Sequence, residues 1–345
     1  MKVYKLERPE FLRNWLSEER EVFQPVMDAT GNGSWQPIAH GAVEEFDDEL
    51  RPLMSPKDFF FSEREDLFRF EAGAENPTFK PIIPRIEKRV LFGVKACDLK
   101  AIAYQDKHFA TDPNYQARRR QTLLVGIDCH APCEGGFCPT VDAGPTVRDG
   151  TADLVLIPMP SVAGEQAGWW LGCNSQAGEH AIWGMNLKLA EEGWDYWRKL
   201  TEKRAKASFP NDTQLLNGIR RLNARAIPDE LWDKLGIQCL SCSGCTMVCP
   251  SCSCYAVEDI KTPTGYVRER FWDSCLMEGF QKEASGANPT QASGKRVQRF
   301  WFHKFSDDIA SRMDDSYGCV GCGRCEVTCP GSIGVHSVME AIANA

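Results

Sequence analysis

One cysteine pattern, present twice, constrains this chain more than any other feature. Cys239-x2-Cys242-x2-Cys245-x3-Cys249-Pro250 is followed by Cys319-x2-Cys322-x2-Cys325-x3-Cys329-Pro330. This is the spacing that holds [4Fe–4S] clusters in two-cluster ferredoxins. Three thiolates at two-residue intervals can wrap one corner of a cubane. The fourth points away and ligates the other cluster. The expected ligand sets are therefore crossed. Cys239, Cys242, Cys245 and Cys329 hold one cluster, and Cys319, Cys322, Cys325 and Cys249 hold the other. Zinc is the competing reading, but structural zinc is usually held by two separated pairs of ligands. Here four cysteines crowd into one short run, twice, with a proline behind each.

The 345 residues contain 16 cysteines. Disulfide frameworks belong mainly to small secreted domains. The first residues, MKVYKLERPEFLRNWL, carry charges throughout and no apolar run of leader length. No stretch approaches the roughly 18 apolar residues that cross a bilayer. The expectation is a cytoplasmic chain whose thiols are reduced or metal-bound. A net charge of −8 argues against nucleic acid as a main partner, which would need clustered Lys and Arg.

The length suggests two domains. Residues 1–208 read as a mixed α/β domain and 209–345 as a helical dicluster ferredoxin-type domain, an α+β chain as a whole. RVLFGVKA (89–96) and QTLLVGID (121–128) are β-rich apolar runs flanking a short helix, and DLVLIPMP (153–160) begins another strand pair. Residues 185–206 read as an amphipathic helix, with a boundary near 207–212. Residues 212–238 read as helical, 282–296 as a polar loop and VHSVMEAIAN as a closing helix. The linker between the motifs is too long for a compact βαβ ferredoxin. It lacks tight hairpin signals, and FWDSCLMEGFQKEA reads as helical, which favours a helical ferredoxin domain.

Other cysteines admit several readings. Cys97 and Cys129 follow the two apolar runs, and Cys133 and Cys138 lie in a Gly-rich loop, CHAPCEGGFCPT. These four can converge on a third cluster; zinc or plain thiols are the alternatives. His130 is read as solvated and Cys173 as core. Cys252, Cys254 and Cys275 are small buried residues or modulators of a cluster. Arg118, Arg119 and Arg120 suggest a solvated face or a docking patch, and Trp169 and Trp170 suggest core or interface. In QRFWFHKF, the cations Arg299, His303 and Lys304 would raise a neighbouring cluster's potential by stabilising its reduced form. No G-x-G-x-x-G, Walker A, H-E-x-x-H or G-x-S-x-G is present. No catalytic residue is assigned.

The order of SPKDFFFSEREDLFRF (55–70), GVKACDLKAI (93–102), DPNYQARR (112–119) and GIDCHAPCEGGFC (126–138), ahead of the motifs, FWDSC and QRFWFHKF, resembles a known family. It contains the β subunits of sulfhydrogenases and the corresponding subunits of anaerobic sulfite reductases. The resemblance implies an electron-transfer subunit with two [4Fe–4S] clusters, set between a flavin/NAD(P)H-linked subunit and a catalytic hydrogenase- or reductase-type subunit. The family's Cys-Phe-Cys triplet is Gly136-Phe137-Cys138 here, a departure that bears on the third cluster. A self-contained iron–sulfur or flavin reductase is the alternative.

Overall fold

The computed structural model describes residues 1–71, 78–159 and 168–345. In its first part β1 (Lys2–Leu6), α1 (Pro9–Leu16), β2 (Glu21–Met27) and β3 (Gly33–Ile38) precede β4 (Arg64–Glu71) and β5 (Thr78–Pro81). A strand–helix–strand unit follows: β6 (Arg89–Lys95), α2 (Ala96–His108), α3 (Pro113–Arg120) and β7 (Thr122–Ile127). Then come β8 (Leu154–Pro158), β9 (Trp169–Cys173), α4 (Gln176–Ala181) and α5 (Trp194–Ala207).

Seven strands form one sheet in the order β1-β9-β8-β7-β6-β2-β3. Its centre is parallel, with β2, β6, β7 and β8 running the same way. Strands covered on both faces should be continuously apolar. β6 and β7 fit, with every residue of β7 and all but the first of β6 buried. Both match the runs expected from sequence. Pro160, the last residue of the 153–160 run, lies outside the described residues.

The second part holds α6 (Thr213–Asn223), α7 (Asp229–Gln238), α8 (Gly244–Met247), β10 (Tyr255–Thr262) and β11 (Gly265–Trp272). These are followed by α9 (Ser293–Phe305), α10 (Asp307–Ala310), α11 (Arg324–Thr328) and α12 (Val335–Ala343). α6 packs on α12, and α7 on α9. Mixed α/β content holds for the chain as a whole.

Three expectations are corrected. The linker between the motifs is not mainly helical: β10 and β11 form a hairpin around Pro263 and Thr264, with Thr262 opposite Gly265. FWDSCLMEGFQKEA begins with the end of β11 and its only helical piece is one 3-10 turn, Glu278–Gln281. β11 also pairs with β4, so the four-stranded sheet β10-β11-β4-β5 takes two strands from each side of residue 208. The helix expected over 185–206 begins at Trp194. Residues before it run beside β1 instead, with Lys5 N–H bonded to the Lys188 carbonyl at 2.8 Å and Ala190 N–H to that of Val3 at 2.9 Å. Gly193, at φ +95°, then turns the chain into α5. Finally, α9 starts at Ser293, inside the segment expected to be loop.

Candidate iron–sulfur site

The two motifs fold alike. In each, a residue with positive φ turns the chain just before a one-turn helix: Ser243 (φ 64°) before α8, and Gly323 (φ 76°) before α11. α8 carries Cys245 and α11 carries Cys325. The two short helices pack on each other. That contact brings the fourth cysteine of each motif to the other motif.

One cavity is lined by Cys239, Cys242, Cys245 and Cys329, and also by Cys325 of the second motif, with Leu276, Val297, Phe300, Trp301 and Ile333 as its apolar wall. Cys242 reaches the surface. Cys249 is not among the residues that line that cavity; Lys304 links it to the Gly318 carbonyl, next to Cys319, and its thiol opposes the ionisation of Cys245 as well as of Cys319, Cys322 and Cys325. Burial pushes the thiols of Cys245 and Cys319 up to about 12. Neighbouring thiols add to the shift at Cys245, and burial likewise raises Cys322 and Cys325. Such thiols keep their protons until a metal exchanges for them. Among the described residues, no three Cys, His, Asp or Glu side chains gather around a point where a single ion could sit. Soft thiolates in two sets of four suit iron–sulfur clusters.

Two buried ammonium groups lie near the motifs, one in contact with Cys249 and one against Thr246, next to Cys245. Lys304, on α9, is 6% exposed. Its Nζ donates to Cys249 Sγ at 3.1 Å, Cys252 Sγ at 3.3 Å and the Gly318 carbonyl at 3.0 Å. Burial pulls this ammonium down, but Cys249, Cys252 and Cys319 outweigh it and hold it well above its ordinary value. A hydrogen bond from Cys252, with Lys304 beside it, pulls Cys249 well down. Lys57, 5% exposed, lies 3.8 Å over the Trp272 ring and donates to the Thr246 carbonyl at 3.3 Å. Burial lowers it, and Cys252 and Cys249 counter that effect. Among the described residues neither ammonium has a carboxylate within ion-pair distance. A buried cation without a carboxylate calls for another anion. Thiolates bound to iron fit that need.

The Gly-rich loop of the first part lies against the second motif. Phe137 N–H donates to the Gly321 carbonyl at 2.8 Å. A Cβ on Gly321 (φ +62°) would stand 2.6 Å from the Cys138 nitrogen, and one on Gly323 2.4 Å from the Gly135 carbonyl carbon. Cys97 and Cys129 sit at the carboxyl ends of neighbouring parallel strands, where α/β sheets commonly place ligands. Burial raises Cys97 and Cys138 and pushes Cys129 up to about 11. Cys138 also feels Cys129, Cys133 and Cys322, and Cys97 feels Cys138 and Cys322. Cys138 and Cys97 are thus the two of these four thiols that lie toward Cys322 of the second motif. His130 stays near the surface, its Nε2 3.0 Å from Glu49 and its Nδ1 3.6 Å from Asp48.

Other side chains fall as follows. Cys173 and Trp170 are core residues. Cys254 and Cys275 line one hollow with Cys252 and His303. A hydrogen bond from Cys275 brings Cys254 down to about 7, against burial. Arg299 lines a different surface hollow, away from both sets. Arg118 is not on a solvated face: it is buried, 2.6 Å from Glu65, because β4 and β11 cover it with their own charged residues. Arg119 pairs with Asp106, which leaves Arg120 exposed.

Lys57 was not legible as a site residue, since only the fold brings 57 to 249. Arg324 and Asp98 were missed for the same reason. The fully buried Arg324 guanidinium meets the Asp98 carboxylate through two bonds, at 2.6 and 2.8 Å, and its Nε donates to the Pro52 carbonyl at 2.9 Å.

A family model described as a 4Fe–4S dicluster domain matches residues 238–333, which contain both motifs. Sulfhydrogenase 2 subunit beta of Pyrococcus furiosus is 30% identical over 347 aligned residues, covering 97% of this chain and 95% of that protein. No solved structure matches this one. No helix among the described residues is long and apolar enough to cross a membrane. With the dicluster domain in its C-terminal part and a relative aligned along nearly its full length, the chain belongs to the sulfhydrogenase β-subunit family.

Proposed function

We propose that this chain is an electron-relay subunit. It carries electrons through two [4Fe–4S] clusters between a flavin/NAD(P)H-binding subunit and a catalytic partner of the hydrogenase or reductase type, in the cytoplasm. Cys239, Cys242, Cys245 and Cys329 would hold one cluster, and Cys319, Cys322, Cys325 and Cys249 the other, each in the helical dicluster region of 209–345. The observation that supports this reading is that Cys329 lines a cavity with the first motif's Cys239, Cys242 and Cys245, while Lys304 joins Cys249 to the Gly318 carbonyl, next to Cys319 of the second motif. When bound, the clusters supply one-electron carriers. The chain supplies thiolates, a dry apolar wall on one side and fixed cations on the other. The similarity to a hydrogenase β subunit supports the choice of partners.

The first part adds a third candidate site, formed by Cys97, Cys129, Cys133 and Cys138. It takes Cys133 in place of the residue that Gly136 lacks. Its support is the packing of the loop on Gly321 and Gly323, which brings Cys138 against the second motif. Cys138→Ser tests it separately, with a loss of about four irons if a [4Fe–4S] cluster is present and no loss if it is not.

The relay is tested by purifying the tagged chain anaerobically from its own cells. The reading expects a flavoprotein and a metal-containing catalytic subunit to come with it. It also expects NAD(P)H to bleach the cluster absorption in the complex and not in the chain alone. Flavin bound to the isolated chain, with bleaching by NAD(P)H there, would instead support a self-contained reductase.

A further inference from the structure

The two thiol sets stand in unlike electrostatic surroundings. The cavity of Cys239, Cys242, Cys245 and Cys329, which Cys325 also reaches, is walled by Leu276, Val297, Phe300, Trp301 and Ile333, and no Lys or Arg among the described residues lines it. The set of Cys249, Cys319, Cys322 and Cys325 has Lys304 in hydrogen-bond contact with Cys249, at 3.1 Å. Lys57 stands behind it, held over Trp272. Gly321 N–H adds a donor to Cys319 Sγ at 3.4 Å.

Arg324 lies beside Cys322, but Asp98 neutralises it through its two bonds. Among the described residues the two lysines have no such partner. Lys304 is the uncompensated positive charge in contact with this set, with Lys57 further back against Thr246.

One-electron reduction of a cluster with four thiolates adds one negative charge to the set that holds it. An apolar wall opposes that charge, and a contacting ammonium favours it. Water near the exposed Cys242 also favours charge at the first set, but it acts through a high dielectric. Lys304 acts inside the protein, where screening is weak. Hydrogen bonds to cluster sulfurs are a recognised determinant of potential.

We propose that Lys304, backed by Lys57, makes the Cys249, Cys319, Cys322 and Cys325 set the electron sink of the pair. Its cluster is then reduced before the one on Cys239, Cys242, Cys245 and Cys329. This rests on the two-cluster reading above. Lys304 acts through the cluster's charge and is a positioning residue, not a catalytic one. Electrons entering at the exposed first set would fall inward to the second. That set also adjoins Cys138, so the gradient points toward the Gly-rich loop.

The test is an anaerobic potentiometric titration of the cluster-loaded chain with dithionite, followed by low-temperature EPR. Two cubane signals should appear at separate potentials. In Lys304→Met the higher-potential signal should move down further than the other, with at least a tenfold fall in its ratio of reduced to oxidised cluster at fixed potential, or about 59 mV for one electron. Lys304→Arg should restore most of the shift. Lys57→Met should move the same signal by less, and it serves as the test if Lys304→Met fails to keep its iron. The signal that Cys242→Ser perturbs should be the lower one. An unmoved high-potential signal in variants that keep both clusters would overturn the assignment. So would a Cys242→Ser effect on the higher signal. Iron for a single cluster in the parent would overturn the two-cluster reading itself, and with it this proposal, before any titration.

Discussion

Asp98 and Arg324 form a fully buried, two-bond ion pair that ties the helix after β6 to the second cysteine motif. The bonds are 2.6 and 2.8 Å long, and neither side chain is more than 1% exposed. Asp98 follows Cys97, and Arg324 lies between Cys322 and Cys325. One charge pair therefore sets the position of a candidate third-site thiol against the second ligand set.

Removing one partner should cost far more than removing both. Asp98→Asn leaves Arg324 buried and uncompensated, at about 3–5 kcal/mol. Thermal unfolding of the cluster-loaded protein should show a clear drop in midpoint. The paired change Asp98→Asn with Arg324→Met should recover part of that loss. A midpoint for Asp98→Asn equal to the parent's would contradict this role.

The contact between the Gly-rich loop and the second motif gives a second prediction. Gly321 and Gly323 both have positive φ, and a Cβ on either would meet loop backbone at 2.6 Å or less. Gly321→Ala and Gly323→Ala should each destabilise by about 1–3 kcal/mol. They should also lower iron content, which a purely local strain would leave unchanged. Gly286→Ala is the control: its φ is +86°, with open space around the added Cβ.

Where the hairpin meets β4, Glu65 carries two buried arginines, Arg118 at 2.6 Å and Arg270 at 2.5 Å. Glu65→Gln leaves both short of negative charge. Hydrogen exchange should speed up across 64–71 and 265–272 together, because β4 and β11 share one ladder. Acceleration confined to one strand would count against a shared network.

Stripping the clusters gives a prediction with a definite pH sign. In the metal-free chain, Cys245 and Cys319 are raised from the ordinary 9.0 to about 12, chiefly by burial. A thiol raised on folding contributes stability that is present below pH 9 and is lost as pH climbs toward 12. Denaturant unfolding of the stripped protein should therefore show falling stability above pH 9. In the loaded protein these thiols carry iron instead of protons, and that dependence should disappear.

What was readable in advance follows the range of the interactions. The two cysteine motifs could be read in advance because they are built into local spacing. Strands β6 and β7 could be anticipated because burial on both faces leaves an unbroken apolar run. Lys304 could be flagged from its neighbours in sequence. The hairpin escaped notice because β10 is mostly exposed and charged, as an edge strand is. Its turn is Pro263-Thr264, not one of the Asn-Gly or Asp-Gly pairs that announce a hairpin. The helix expected from 185 failed because backbone pairing to β1 outcompeted local propensity. Lys57, and the pair of Asp98 with Arg324, join residues far apart in sequence, which no local pattern encodes.

The electron-relay reading depends on two crossed cysteine sets holding two cubanes. Iron and acid-labile sulfide, measured in anaerobically purified protein alongside EPR after reduction, decide that point. About eight of each per chain are expected, with two interacting cubane signals, rising to about twelve if the Cys97, Cys129, Cys133 and Cys138 site is filled. Zinc without sulfide would contradict it.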